Sequence, residues 1–125
     1  MMDFESRLAS LLMELGLMAS SYGWRDDAEH ILAGLLAMRP HAEEPFVALA
    51  LMHMMDAKYD EAVAVLREKA IPLHPQSDIL HAFLALALRL DGKVSESDQI
   101  AEHVISKGKN ANAIRLSETM LREIR

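Results

Sequence analysis

Residues 46–66 read FVALALMHMMDAKYDEAVAVL, and residues 81–101 read HAFLALALRLDGKVSESDQIA. Set one under the other they match in kind. Phe46 meets His81, Leu49-Ala50 meets Leu84-Ala85, Ala57 meets Gly92, Tyr59 meets Val94, Ala62 meets Ser97 and Leu66 meets Ala101. A step of 34 residues the other way reaches LMELGLMASSYGWRDDAEHIL at 12–32, with Leu12, Leu15-Gly16, Gly23, Ala28 and Leu32 in the same places and Pro40 closing the unit. A period of this size marks stacked helix pairs, in which each pair buries its apolar face only against its neighbour.

The composition agrees with helices. Hydrophobic residues make up 51% of the chain but aromatics only 5%. The apolar content is mostly Leu, Ala and Met, which lose little rotamer freedom in a helix. No stretch alternates apolar and polar residues as a half-buried strand does. Small residues at Gly16 and Ala28, and at Ala50 and Ala62, allow paired helices to approach to about 8–10 Å. Asp26 with Glu29 and Ser95 with Asp98 have the spacing of helix-capping pairs. Pro45 suits a first helical turn. The second-to-third step is 35 residues, and the extra one is expected in the connection 71–75, where insertion costs little. A last segment from Asn110 repeats Ile114, Met120-Leu121 and Ile124 at helical spacing and reads as a capping helix.

These residues resemble the tetratricopeptide repeat family. Leu12, Leu15, Gly16, Gly23, Ala28 and Pro40 fit its pattern nearly in full; Phe46, Leu49, Ala50, Tyr59 and Ala62 fit in the second unit. The third departs, with His81 at the large position, Ser97 for the core alanine and Lys109 for the proline. The resemblance implies an all-α fold in one domain: repeats at about 9–42, 43–77 and 78–109 in a short right-handed superhelix, then a capping helix at about 110–125.

Several function classes recede on composition. The net charge of -6 opposes nucleic-acid binding, which needs a basic face. Within it, residues 107–125 carry five cations against two acids, a local excess that suits the end of a last helix. There is no cysteine, hence no disulfide or thiolate site. The acidic start MMDFESRL does not read as a secretory leader, and the longest apolar run, 46–52, is too short to span a membrane. A cytoplasmic, soluble protein is the expectation. The six histidines show no metal-ligand spacing, and no phosphate loop or catalytic constellation is present, so neither an enzyme, a metal nor a cofactor is expected.

In the tetratricopeptide family the first helix of each unit lines a concave groove, at the second, fifth, ninth, twelfth and thirteenth positions. Carried over, those sites include Ser10, Met13, Leu17, Ser20 and Ser21, then Glu44, Val47, Leu51, Met54 and Met55, then Ile79, Ala82, Leu86, Arg89 and Leu90. The partner-binding residues expected are Met13, Leu17, Val47, Leu51, Met54, Met55, Ala82, Leu86 and Leu90. A groove of Met, Leu and Val suits an amphipathic helix, whereas one that clamps a peptide carboxylate needs cations, of which Arg89 is the only one here. The same side chains also fit a buried core, and a homodimer would cover them equally well.

Size, acidity, repeat number and groove chemistry are similar to the small type III secretion chaperones that guard the needle subunit. That resemblance implies a cytosolic chaperone that holds the subunit's amphipathic helix and prevents premature polymerisation, beside a second small helical co-chaperone. A generic repeat scaffold or homodimeric adaptor in a secretion or pilus assembly is the other expectation.

Overall fold

The structure, a computed structural model, describes residues 42–123. The stretch expected to form the first repeat, with Met13, Leu17 and Pro40, lies outside the described residues. Within them the chain is all-helical: five helices and no strand. Helix α1 is Glu44–Met55, with Pro45 in its first turn as its missing N–H allows. Helix α2 (residues 59–73) runs through Tyr59–Ala64, a π-helical stretch Val65–Ala70 and a final turn Ile71–Leu73. Then follow α3 (Asp78–Leu90), α4 (Val94–Lys107) and α5 (Ala111–Glu123).

The two hairpins turn in the same way. After α1, the Ala57 N–H bonds to the Met54 carbonyl at 3.0 Å and the Lys58 N–H to the His53 carbonyl at 2.8 Å. After α3, the Gly92 N–H bonds to the Arg89 carbonyl at 3.1 Å and the Lys93 N–H to the Leu88 carbonyl at 2.8 Å. Both are Schellman turns, with the residue after the cap left-handed: φ is 59° at Ala57 and 83° at Gly92. The hydrogen bonds thus repeat at the 35-residue offset of the side chains.

That offset holds up to Leu66 and Ala101, but the helix ends break it. The His74 N–H reaches back to the Ala70 carbonyl, and the equivalent Gly108 N–H to the Val104 carbonyl, an offset of 34. The surplus residue of α2 is therefore absorbed between 66 and 70, inside the π-helical stretch, and not in the 71–75 connection. A π turn takes one more residue than an α turn, so the helix swallows the insertion and keeps both Leu66 and Ala70 fully buried.

The main core lies between the hairpins. Phe46, Ala50 and Met54 of α1 meet Ala62, Val63, Leu66 and Ala70 of α2 and Leu80, Leu84, Ala87 and Leu88 of α3. Fully burying a leucine such as Leu66, Leu80 or Leu88 contributes about 1.5–3 kcal/mol. Helix α5 packs on α3 and α4 through two smaller clusters, Ala82–Val104–Ala113 and Ala85–Ala101–Met120. Serine at position 97 is explained by a hydrogen bond. Its fully buried hydroxyl donates to the Ala85 carbonyl at 2.7 Å and accepts from Arg89 Nη1 at 3.4 Å.

The capping expectation for Ser95 and Asp98 is corrected. Helix α4 begins at Val94 without a side-chain cap, and Asp98 pairs instead with Arg89 at 2.7 Å. Side-chain caps occur at Ser77, whose Oγ accepts the Leu80 N–H, and at Asn110, whose Oδ1 accepts the Ala113 N–H.

A candidate helix-binding face

An α-helix turns 100° per residue, so α1 has four sides. Phe46, Ala50 and Met54 face the core with α2 and α3. On the opposite side Ala48 and Met52 are fully buried too. Between these lies the edge Val47–Leu51–Met55. Val47 and Leu51 are half-buried with their inner atoms against the core, while Met55 is 53% exposed. The equivalent edge of α3 carries Leu86, half-buried between two clusters, and Leu90, 38% exposed. Val47, Leu51 and Leu86 pack against the same cluster, and Met55 and Leu90 follow one turn on, so α1 and α3, which touch, each carry an apolar edge.

The remaining described groove positions lie deeper. Met54 belongs to the main core, and Ala82 is fully buried against Val104 and Ala113, beneath α5. Neither offers an open surface to a partner. Arg89, the one cation among the groove positions, is also turned inward, its guanidinium held by Asp98 and the Ser97 hydroxyl. The periodicity placed Arg89 near the groove but not its direction. Its partners nine and eight residues on, across the turn, were the available signal.

Polar groups gather at the other end of the second hairpin. Asp78, in the first turn of α3, accepts the backbone N–H groups of Lys109 at 2.6 Å and Asn110 at 2.9 Å. These bonds, the Asn110 one foremost, hold its carboxyl below the usual carboxylate range, with His81 and His103 adding a smaller pull in the same direction. Gly108 makes room for this staple: a Cβ there would collide with the Val104 carbonyl and come within 3.3 Å of Asp78 Cγ. Sequence reading passed over Asp78, since a lone acid in a first helical turn is common.

A hollow of about 90 Å³ opens beside it, lined by Pro75, Gln76, Asp78, His81, His103 and Val104. Two wider depressions of about 360 Å³ lie alongside, both reaching Gln76, Asp78 and Lys109, and their lining is mostly polar, without the apolar walls that small-molecule sites favour. His81 Nδ1 is engaged with the Ser77 carbonyl at 2.7 Å, and His53 pairs with Glu61 at 3.2 Å. Among the described residues no group of three His, Asp or Glu side chains is placed to hold a metal, and no helix is long and apolar enough to cross a membrane.

Comparison with known proteins adds one finding. The model of a family described as "Bacterial type III secretion protein (HrpB1_HrpK)" matches residues 1–125. No curated protein and no solved structure matches the chain.

Proposed function

The chain belongs to the HrpB1_HrpK family of bacterial type III secretion proteins, and on that premise we propose that it is a protein-binding repeat module that takes an amphipathic helix of another secretion component along the edges of α1 and α3. In this reading the hairpins α1–α2 and α3–α4 are tetratricopeptide-type units. The repetition of their turn hydrogen bonds supports it. The observation that carries the proposal is the pairing of Val47, Leu51 and Met55 with Leu86 and Leu90. These apolar edges lie on helices that pack against each other, and two of the five residues are exposed. Their i, i+4, i+8 spacing suits the stripe of a helix laid between them.

In its finer form the proposal makes the bound helix that of the needle subunit. The module is then a cytoplasmic chaperone that covers an apolar surface the subunit later uses to polymerise, beside a second small helical protein. It needs no cofactor and performs no catalysis. A second reading is favoured by the exposure of Val94 near Leu90 at the turn end of α3. Met55, Leu90 and Val94 together suit a contact between two copies, as in a homodimeric adaptor.

Affinity purification of the tagged chain from its native cells tests both readings. A small helical secretion subunit in near-equal amount, lost on Met55→Glu with Leu90→Glu, supports the helix-binding reading. The chain alone at twice its monomer mass, returned to monomer by the same substitutions, replaces it with the adaptor.

A further inference from the structure

Helix α5 extends the groove and changes its chemistry. It starts from a side-chain cap at Asn110 as α3 starts from one at Ser77. Counting from each cap, the residues of α3 that pack on the preceding hairpin are the third, seventh, tenth and eleventh: Leu80, Leu84, Ala87 and Leu88. On α5 the same places hold Ala113, Ser117, Met120 and Leu121. The first three are buried, and Leu121 packs against the Ala85–Ala101–Met120 cluster. α5 therefore stands on α3 and α4 in the orientation that α3 takes on α1 and α2.

With that register, the groove places of α3 at Ile79, Ala82, Leu86, Arg89 and Leu90 fall on Asn112, Arg115, Thr119, Arg122 and Glu123 of α5. The apolar edges end there. Arg115 is exposed, eight residues and about 12 Å of helix before Glu123. On the same side of α1, across the apolar edges, stands Glu44, also exposed. Arg89 contributes no charge to the surface, because Asp98 holds it inside. Across the described helices the lining thus passes from an acid on α1, over leucines and methionine, to the exposed cation Arg115 on α5.

Resting on the helix-binding reading above, we infer that the occupant is an amphipathic helix with an acidic residue at the end of its apolar stripe, and that Arg115 takes that residue and so fixes the direction in which the helix lies. Reversed, the helix would turn its acid toward α1, where Glu44 stands, and its apolar residues toward Asn112, Arg115 and Thr119, losing both contacts at once.

Two synthetic peptides of about 18 residues test this with the full chain. They share one Leu/Met stripe and differ in a single residue at its end, Glu in one and Lys in the other. Binding is followed by fluorescence anisotropy at low salt, to wild type and to Arg115→Glu. The expected result is that wild type prefers the Glu peptide by about fivefold, as an exposed ion pair allows, and that the variant reverses the preference. Because Arg115 is exposed, circular dichroism of the variant should be unchanged. Equal binding of both peptides to wild type, or a Glu preference that survives in the variant, overturns the role of Arg115 and leaves helix binding standing. Failure of both peptides to bind, with the chain at twice its monomer mass, shows a second copy in the groove and overturns both.

Discussion

Ala57 and Gly92 hold the same left-handed place in consecutive turns, with φ of 59° and 83°. Only one of them is glycine. A Cβ in this conformation costs roughly 1 kcal/mol, which glycine avoids. Ala57→Gly should therefore raise stability by about 0.5–1 kcal/mol, and Gly92→Ala should lower it by a similar amount. Urea unfolding followed by circular dichroism reads both; loss of stability in Ala57→Gly would contradict the turn geometry.

The staple from Asp78 to the start of α5 makes stability depend on pH. Its carboxyl is held low in the folded chain, so its contribution is complete above the unfolded value of about 3.9 and is lost as pH falls through the lower folded value. The stability gap between wild type and Asp78→Asn should be constant from about pH 5 to 7 and close below about pH 4. A gap that persists unchanged at the acid end would show that charge at Asp78 contributes nothing.

Two buried serines should respond with opposite sign. Ser97 donates to the Ala85 carbonyl, and Ser97→Ala should cost about 0.5–1.5 kcal/mol. Ser117 is fully buried and its hydroxyl has no partner, so Ser117→Ala should gain on the order of 1 kcal/mol. Paired thermal melts decide the signs.

Exposure separates the proposed groove residues that can be changed with the fold kept from those that hold it. Met55→Glu, at a residue half exposed, should cost about 1 kcal/mol and Leu90→Glu about 1–2 kcal/mol, both small enough to leave the chain folded. Leu86→Glu, which sets a charge between two apolar clusters, should cost several kcal/mol. Binding assays on Leu51 or Leu86 variants would thus confuse recognition with folding, and Met55 and Leu90 are the informative positions.

The spacing of small and large residues between Phe46 and Ala101 made the helix pairs and their turns legible, because a tight helix contact leaves a size requirement at fixed positions. Ala50 and Ala62 do share one cluster, and Ala57 and Gly92 do mark the turns. Directions within a helix were harder. Met54 and Ala82 have the periodicity of groove residues, yet a helix covered on several sides has no apolar face to distinguish outside from inside. Arg89 looked available because its burial depends on Asp98 in the next helix, a contact no periodicity encodes. The place of Arg115 needed the cap at Asn110, which fixes the register of α5. Met13 and Leu17 stand outside the described residues and remain expectations.

The π turn in α2 bears on which changes of chain length the protein can accept. Deleting one residue from an ordinary helix swings everything beyond it through about 100° and breaks its packing. In 65–70 the chain already carries a residue in surplus, so loss of Glu68 should let the segment close as an α-helix with Ile71 and the next hairpin still in phase. The same loss at Glu102, on the uninterrupted α4, should carry Val104 away from Ala82 and Ala113. Two deletions of equal size, placed in matching helices, would then part company on melting: α2 is where this fold can shed or gain a residue across generations, and α4 is where it cannot.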